Sequence, residues 1–179
     1  NRNNIRTASY FWPGSEITYS ERRPNIYKSY EHKFPYYKRI DSLIAWLSLP
    51  EEKRPHFLTV YFDATDTYGH KYGPNSVEVN NTIKSLDSLT GYLVKRLEEI
   101  KMEDNVNLIF VSDHGMTEIS KEKFINVEEM LKGFSVQLQN DGPVMMITTK
   151  PENREEVYNF LKKQEHFSVY KKEEMPDYY

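Results

Sequence analysis

Two short apolar runs, separated by a long amphipathic stretch, dominate the pattern of hydrophobic and polar positions along the chain. Residues 57–62 and 106–111 are rich in β-branched and aromatic side chains, which is typical of strands buried on both faces. Between them, apolar residues recur at the helical period, at Val79, Ile83, Leu86, Leu93, Leu97 and Ile100. Asn75, with Glu78 three residues later, resembles a capping box that would begin this helix. A strand, a helix and a second strand form a crossover unit, which predicts that the two strands are parallel.

The rest of the pattern predicts shorter elements around this unit. Residues 1–33 carry prolines and a glycine among aromatic side chains, which is typical of loops. Residues 35–50 predict a helix with one apolar face, and residues 63–74 a glycine-containing loop. Further elements are expected towards the end of the chain: a helix at 127–132, a strand at 144–148, a helix at 152–163 and a strand at 167–170. We interpret the chain as one α/β domain, or part of one, with a largely parallel sheet flanked by helices.

Composition narrows the class of protein. The 179 residues are enough for one domain, and a net charge of -3 gives no basic footprint for nucleic acid. With 14 Tyr and 9 Phe, the chain is too aromatic for a disordered segment. It has no cysteine for disulfides or thiolate metal ligands. No apolar run approaches the roughly 20 residues of a membrane span, and the first residues contain no signal-peptide core. Both ends resemble internal cuts, so we expect an incomplete piece of a larger domain.

Acidic and imidazole side chains follow both apolar runs. Asp66 and His70 come after the first run, and Asp113 and His114 directly after the second. Carboxylate oxygen and neutral imidazole nitrogen bind divalent cations, and parallel α/β sheets bind ligands beyond the carboxyl ends of their strands. The sequence therefore predicts a metal site at one sheet edge, with Gly69 letting its loop fold back.

Other interpretations of these residues stay open at this point. Asp113 could cap the next segment while His114 bonds a backbone carbonyl, and the Asp66–His70 pair could be turn chemistry. The remaining histidines stand in polar contexts and are expected at the surface: His32, His56 and His166.

Three motifs of this sequence resemble those of a known family. They are FWPGS at residues 11–15, DTYGHKYGP at 66–74 and SDHGM at 112–116. In order and spacing they resemble motifs of the nucleotide pyrophosphatase/phosphodiesterase family, within the alkaline phosphatase superfamily. The resemblance covers nearly the whole chain. It implies an alkaline phosphatase-like fold, in which residues 1–179 are a single segment of a phosphodiesterase catalytic domain.

The resemblance implies a hydrolase with two divalent ions, Zn2+ by family precedent. The implied ligands are Asp66 and His70 for one ion and Asp113 and His114 for the other. Trp12 and Tyr30 match family positions that hold a nucleobase between aromatic rings. The implied reaction is hydrolysis of phosphodiester or pyrophosphate bonds in nucleotides, which releases nucleoside 5'-monophosphates through a covalent phospho-threonine.

The resemblance also implies that the isolated chain lacks the catalytic nucleophile. No threonine here lies in the matching nucleophile motif, so the reactive threonine is expected upstream and the isolated segment is expected to be inactive. Family resemblance implies an extracellular or periplasmic location and a nucleotide or other phosphodiester substrate. Two alternatives remain: a phosphodiesterase for choline phospholipids or other phosphodiesters, and a non-catalytic binding domain whose acids and imidazoles only cap loops.

Overall fold

The computed structural model describes residues 5–17 and 23–177 of the chain. The chain divides into two compact units, Asn1–Ile119 and Ser120–Tyr179. Each unit has its own hydrophobic core. That residues 1–179 are a single segment of one catalytic domain stays a prediction, because compactness alone does not assign a unit to a functional domain.

The first unit is built on a three-stranded parallel sheet. Its strands are β1 (Thr7–Tyr10), β2 (Ile26–Lys28) and β3 (Phe57–Val60). They lie in the order β2-β1-β3. Tyr10 of β1 pairs with Lys28 on one side and with Val60 on the other, so all three strands end at the same level. This parallel sheet, flanked by helices, confirms the predicted α/β class.

Three helices belong to this unit: α1 (Tyr36–Leu47), α2 (Ala64–Tyr72) and α3 (Val77–Glu99). Ile40 and Ile44 of α1 share a buried cluster with Leu89 of α3, and Leu43 of α1 packs against Tyr10 of the sheet. The apolar period of both long helices is thus explained by burial between them and on the sheet, and both predicted helices are confirmed. Among the helices that the structure describes, none is long and apolar enough to cross a membrane.

The start of α3 differs from the expected capping box. Ser76, not Asn75, is the N-cap residue, and its hydroxyl accepts a hydrogen bond from the backbone N–H of Val79 at 3.2 Å. Asn75 instead donates through its side-chain amide to Glu118 at 3.4 Å. Serine and asparagine are both good caps, so the two neighbouring candidates could not be separated by residue type alone.

Two segments expected to be loops contain regular structure. Residues 1–33 include β1 and β2, while residues 1–4 and 18–22 of that range lie outside the described residues. The sequence of β1 is Thr-Ala-Ser-Tyr, so it lacks the β-branched and aromatic density by which strands are recognised. Residues 63–74, expected to be a glycine-containing loop, form α2.

The predicted buried strand at 106–111 is wrong. None of these residues belongs to a strand, and no described strand pairs with them. Their side chains are largely exposed, Ile109 by 83% and Val111 by 70%. The apolar pattern of a strand buried on both faces requires neighbours on both faces, and the described residues provide none here. The predicted crossover is therefore incomplete, because the segment after α3 does not pair with the sheet.

The second unit contains a hairpin and two helices: α4 (Val127–Met130), β4 (Val136–Asp141), β5 (Val144–Thr149) and α5 (Arg154–Lys162). Its core is formed by Leu131, Val157 and Leu161. Both predicted helices and the predicted strand at 144–148 are confirmed, and β4 is an antiparallel partner that the sequence pattern did not predict. The strand expected at 167–170 is wrong, since the structure has no strand there.

Candidate metal centre

Helix α2 leaves the sheet edge after β3 and carries the first predicted pair of ligands. The spacing of four residues places Asp66 and His70 on one helix face, and Oδ1 of Asp66 lies 3.3 Å from Nε2 of His70. The two side chains therefore converge through helix geometry, and not through a loop folded back at Gly69.

The second predicted pair meets the first. Nε2 of His114 lies 3.6 Å from Oδ1 of Asp66 and 3.8 Å from Oδ2 of Asp113. The other ring nitrogen, Nδ1, is 2.9 Å from the carbonyl oxygen of Gly115. A backbone carbonyl at one ring nitrogen is the usual way in which a metal-ligating histidine is oriented. The structure thus brings all four predicted ligands to one place and leaves Nε2 of His114 facing the carboxylates.

The electrostatic field at this place is negative. The hydrogen bond to the carbonyl of Gly115, followed by the charges of Asp113 and Asp66, raises the pKa of His114 above its usual value. Burial, and then the same two carboxylates, raises the pKa of the nearby Tyr61 phenol. The charges of Asp113 and Asp66 contribute to both shifts, because a negative field holds protons more tightly. The same field favours a divalent cation.

The donor types suit zinc, and the spacing of one of the two pairs does, but the set is incomplete. Two donors that are each about 2.0–2.2 Å from a tetrahedral ion are about 3.3 Å apart, and the Asp66–His70 separation is 3.3 Å. Within residues 5–17 and 23–177, however, no three His, Cys, Asp or Glu side chains converge on one ion position. A catalytic zinc takes about three protein ligands. Each pair by itself therefore has fewer donors than a catalytic zinc takes.

A buried ionic network holds the beginning of α2. Asp63, the N-cap residue of α2, lies 3.4 Å from Nη1 of Arg39, whose side chain is completely buried. Arg39 also donates to the carbonyl oxygens of Tyr61 at 2.7 Å and Phe34 at 3.1 Å. The hydroxyl of Tyr36 donates to Asp63 at 3.2 Å. This network joins α1, the end of β3 and α2, so it fixes the helix that carries Asp66 and His70.

The two predicted base-binding residues lie at the same sheet edge. Trp12 comes two residues after β1, and Tyr30 two residues after β2. Since these strands end in register, the two side chains leave adjacent strands at one level. Both are partly exposed, by 39% and 43%, and the ring of Tyr30 meets Phe11 edge-on at 5.5 Å. Their placement and exposure are compatible with contact to a ligand.

His32 links this aromatic edge to the beginning of helix α2. Its Nδ1 is 3.1 Å from the hydroxyl of Tyr30 and 3.1 Å from Oδ2 of Asp63. The surface location predicted for His32 is confirmed, as its side chain is more than half exposed, but its role as a link was missed. His56 and His166 are exposed, as expected.

The pairing of Arg39 with Asp63 was not predicted either, although the sequence contains two signals for it. Asp63 follows the apolar run at 57–62 directly, as Asp113 follows the second run. Arg39 stands among the buried positions of α1, next to Ile40. A charged residue on an apolar helix face almost always requires a partner.

Comparison with known proteins assigns the chain to a family. Residues 1–179 match the family model described as type I phosphodiesterase / nucleotide pyrophosphatase. The chain belongs to this family. The resemblance inferred from the three sequence motifs is thereby confirmed, and the sheet-edge cluster described above is built from two of those motifs.

Venom and mammalian phosphodiesterases are among the proteins similar in sequence to this chain. Venom phosphodiesterase 2 of Crotalus adamanteus is 42% identical over 119 residues, which are 66% of this chain and 15% of that protein. Human ectonucleotide pyrophosphatase/phosphodiesterase family member 1 is 39% identical over 127 residues, 71% of this chain and 14% of that protein. The chain thus matches only a small part of the length of these relatives.

Solved structures of the family show the same fold. The structure of mouse ectonucleotide pyrophosphatase/phosphodiesterase 5 superposes with a TM-score of 0.89 at 31% identity, covering 99% of this chain and 47% of that one. A second structure of the mouse protein is an inactive threonine-to-alanine variant in complex with AMP. This chain therefore has the α/β fold of the family, and it corresponds to less than half of the mouse structure.

Proposed function

We propose that the protein containing these residues hydrolyses phosphodiester and pyrophosphate bonds in nucleotides and releases nucleoside 5'-monophosphates. One observation carries the proposal: the acid and imidazole residues of two family motifs, distant in sequence, meet at the sheet edge with Asp66 and His114 3.6 Å apart. Family membership supports the phosphodiester class of substrate. The AMP complex of the mouse relative supports a nucleotide.

Under this proposal, Asp66 and His70 hold one Zn2+ ion and Asp113 and His114 hold the other. When bound, the ions activate an attacking hydroxyl and neutralise charge that develops on the phosphoryl oxygens. The remaining ligands come from parts of the complete protein other than these four residues. The residues described here contribute orientation, since the Gly115 carbonyl turns the imidazole of His114 and the Arg39 network fixes α2.

The proposed nucleophile is a threonine outside the matched motifs. Thr65 and Thr67 of α2 do not occupy a nucleophile motif, and the hydroxyl of Thr67 is directed to Asp63, whose Oδ2 is 3.5 Å away. The inactivity of the threonine-to-alanine variant of the mouse relative supports a threonine in this role. Attack by its hydroxyl would break the P–O bond to the leaving alcohol or phosphate and leave the nucleoside phosphate bound to the threonine oxygen. Water would then hydrolyse that ester, which releases the nucleoside 5'-monophosphate and restores the threonine.

Trp12 and Tyr30 are proposed to bind the nucleobase by stacking. Base–aromatic stacking contributes about 1–3 kcal/mol per base and accepts every base, because each has a π face. Such a site would give affinity for nucleotides without selecting among them. We also propose an extracellular or periplasmic location, supported by the secreted venom relatives and by the ecto-enzyme names of the mammalian ones.

Hydrolysis assays on the complete protein, supplied with zinc, test the proposed function. The substrates are p-nitrophenyl thymidine 5'-monophosphate and p-nitrophenyl phosphorylcholine, with a diadenosine polyphosphate used to identify the released nucleoside 5'-monophosphate. We expect hydrolysis of the nucleotide substrates with a higher kcat/KM than that of the choline ester, and no hydrolysis by residues 1–179 alone. The reverse preference would identify another phosphodiester as the substrate, and no hydrolysis of either would favour a non-catalytic binding domain.

A further inference from the structure

Gly69 of α2 accommodates the side chain of Met116. Gly69 is buried within the helix, and a Cβ atom built at this position would overlap the sulfur of Met116 and lie 2.9 Å from its Cε. Any residue other than glycine would therefore displace the methionine. Glycine inside a helix is less stable than alanine, so a packing requirement explains its presence here.

Met116 is an apolar anchor of the segment at 107–124, which carries Asp113 and His114. Of the described side chains at 107–124, all are exposed except that of Met116. The hydrogen bonds of residues 112–115 are internal to that segment: Ser112 donates to the carbonyl of His114, and the N–H of His114 donates to Asp113. Internal bonds fix the shape of a loop, but they do not fix its position on the rest of the protein.

Two polar contacts also join this segment to α2–α3, and both are long. Nε2 of His114 lies 3.6 Å from Oδ1 of Asp66. Asn75 and Glu118 form an exposed hydrogen bond of 3.4 Å, which is long for a charge-assisted pair. Met116 is unbranched and its thioether is polarizable, so it fills an irregular gap well. Gly69 is next to His70 in sequence, and Met116 is two residues after His114. A change in the Met116–Gly69 contact would therefore move one pair of ligands relative to the other.

We propose that Met116, seated on Gly69, is a positioning residue that sets the distance between the Asp66–His70 pair and the Asp113–His114 pair. This inference rests on the proposed function, because it concerns how the same residues are arranged for metal. Met116 is not assigned any contact with substrate. Its role is to hold the second motif against the helix that carries the first.

The test uses the complete protein with four substitutions: Met116→Ala, Met116→Leu, Gly69→Ala and Ile119→Ala. Zinc affinity is measured by competition with a chromophoric chelator, and the visible spectrum is recorded after cobalt substitution. Urea unfolding of the metal-free protein reports whether each variant folds. Ile119 is a matched control, since it belongs to the same segment and is 90% exposed.

We expect Met116→Ala and Gly69→Ala each to weaken the more loosely held zinc by about 10–100-fold, the usual effect of removing support for a ligand, and to change the cobalt spectrum. Met116→Leu, which conserves volume, should retain affinity within about threefold, and Ile119→Ala should match the parent. The urea midpoint of metal-free Gly69→Ala should change little, because the preference of alanine for a helix offsets the displacement of the Met116 side chain. If Met116→Ala does not fold, Gly69→Ala and Met116→Leu decide the question.

Two results overturn the inference in distinguishable ways. If the parent binds two zinc ions and hydrolyses nucleotides while Gly69→Ala and Met116→Ala bind zinc as tightly, only the positioning role is wrong. If the parent binds no zinc, the proposed function fails and the positioning role fails with it.

Discussion

Nε2 of His114 lies 3.6 Å from Oδ1 of Asp66, although one residue follows the long helix α3 and the other precedes it. Helix α3 has 23 residues and is therefore about 35 Å long, so it carries the chain away from the sheet edge. The residues after α3 bring it back to the same place. This return places two family motifs together, and every part of the proposed function depends on it.

The buried pair of Arg39 and Asp63 is expected to stabilise the first unit strongly. Arg39→Met removes the guanidinium beside a carboxylate that is only 6% exposed and leaves that carboxylate with the hydroxyl of Tyr36 and Nδ1 of His32 as neighbours. Breaking a buried ion pair costs about 3–5 kcal/mol. We predict a loss of this size in the free energy of unfolding, measured by urea denaturation of the complete protein. Lys38→Met, at the exposed neighbouring position, should change it by less than about 0.5 kcal/mol. Equal stability of the two variants would contradict the structural role of the network.

The N-cap of α3 gives a second prediction about stability. Ser76→Ala removes the acceptor of the Val79 N–H and should lower the free energy of unfolding by about 1 kcal/mol. Asn75→Ala is the matched control, because Asn75 makes only an exposed contact with Glu118 and should cost less than about 0.5 kcal/mol. The measurement is again urea denaturation. A larger loss for Asn75→Ala would mean that the capping box expected from the sequence forms in solution.

The aromatic residues at the sheet edge give a prediction about substrate preference. Trp12→Ala or Tyr30→Ala should raise KM for a nucleotide by about 5- to 150-fold, which corresponds to the loss of about 1–3 kcal/mol of stacking. KM for p-nitrophenyl phosphorylcholine should change much less, since that substrate has no base. Steady-state kinetics on both substrates checks this expectation.

Phe57→Ala is the control for the stacking prediction. Phe57 is an exposed aromatic residue at the beginning of β3, which is the opposite end of the strand from the site. Its replacement should leave both KM values unchanged. Equal effects of Trp12→Ala on the two substrates would remove the nucleobase role from that residue.

The elements that could be predicted from the sequence are those whose own residues determine them. The helices α1 and α3 have regular apolar faces, and β3 has a dense run of apolar residues, so the local pattern sufficed. The meeting of the two ligand pairs was also predicted, and Asp66 and His114 do lie together, but the predicted cause is wrong. The prediction relied on a second parallel strand at 106–111, and the structure has no strand there.

The elements that could not be predicted depend on partners elsewhere in the chain. Strand β1 is a strand because it pairs on both sides with β2 and β3, and its small polar residues give no sign of this. Gly69 suggested a loop at 63–74. In the structure Gly69 lies inside helix α2, where it packs against the side chain of Met116. Residues 106–111 show the converse case, since an apolar pattern without a partner does not form a strand.

The most direct measurement of the central claim is calorimetric titration of zinc into the metal-free complete protein. We predict that the parent binds two zinc ions and that Asp113→Asn loses one of them, or binds it at least about 100-fold more weakly. Asp87→Asn, a change at an exposed acid of α3, should leave both ions bound as in the parent. No zinc binding by the parent, or identical titrations for Asp113→Asn and the parent, would contradict the claim that these two motifs form a metal centre.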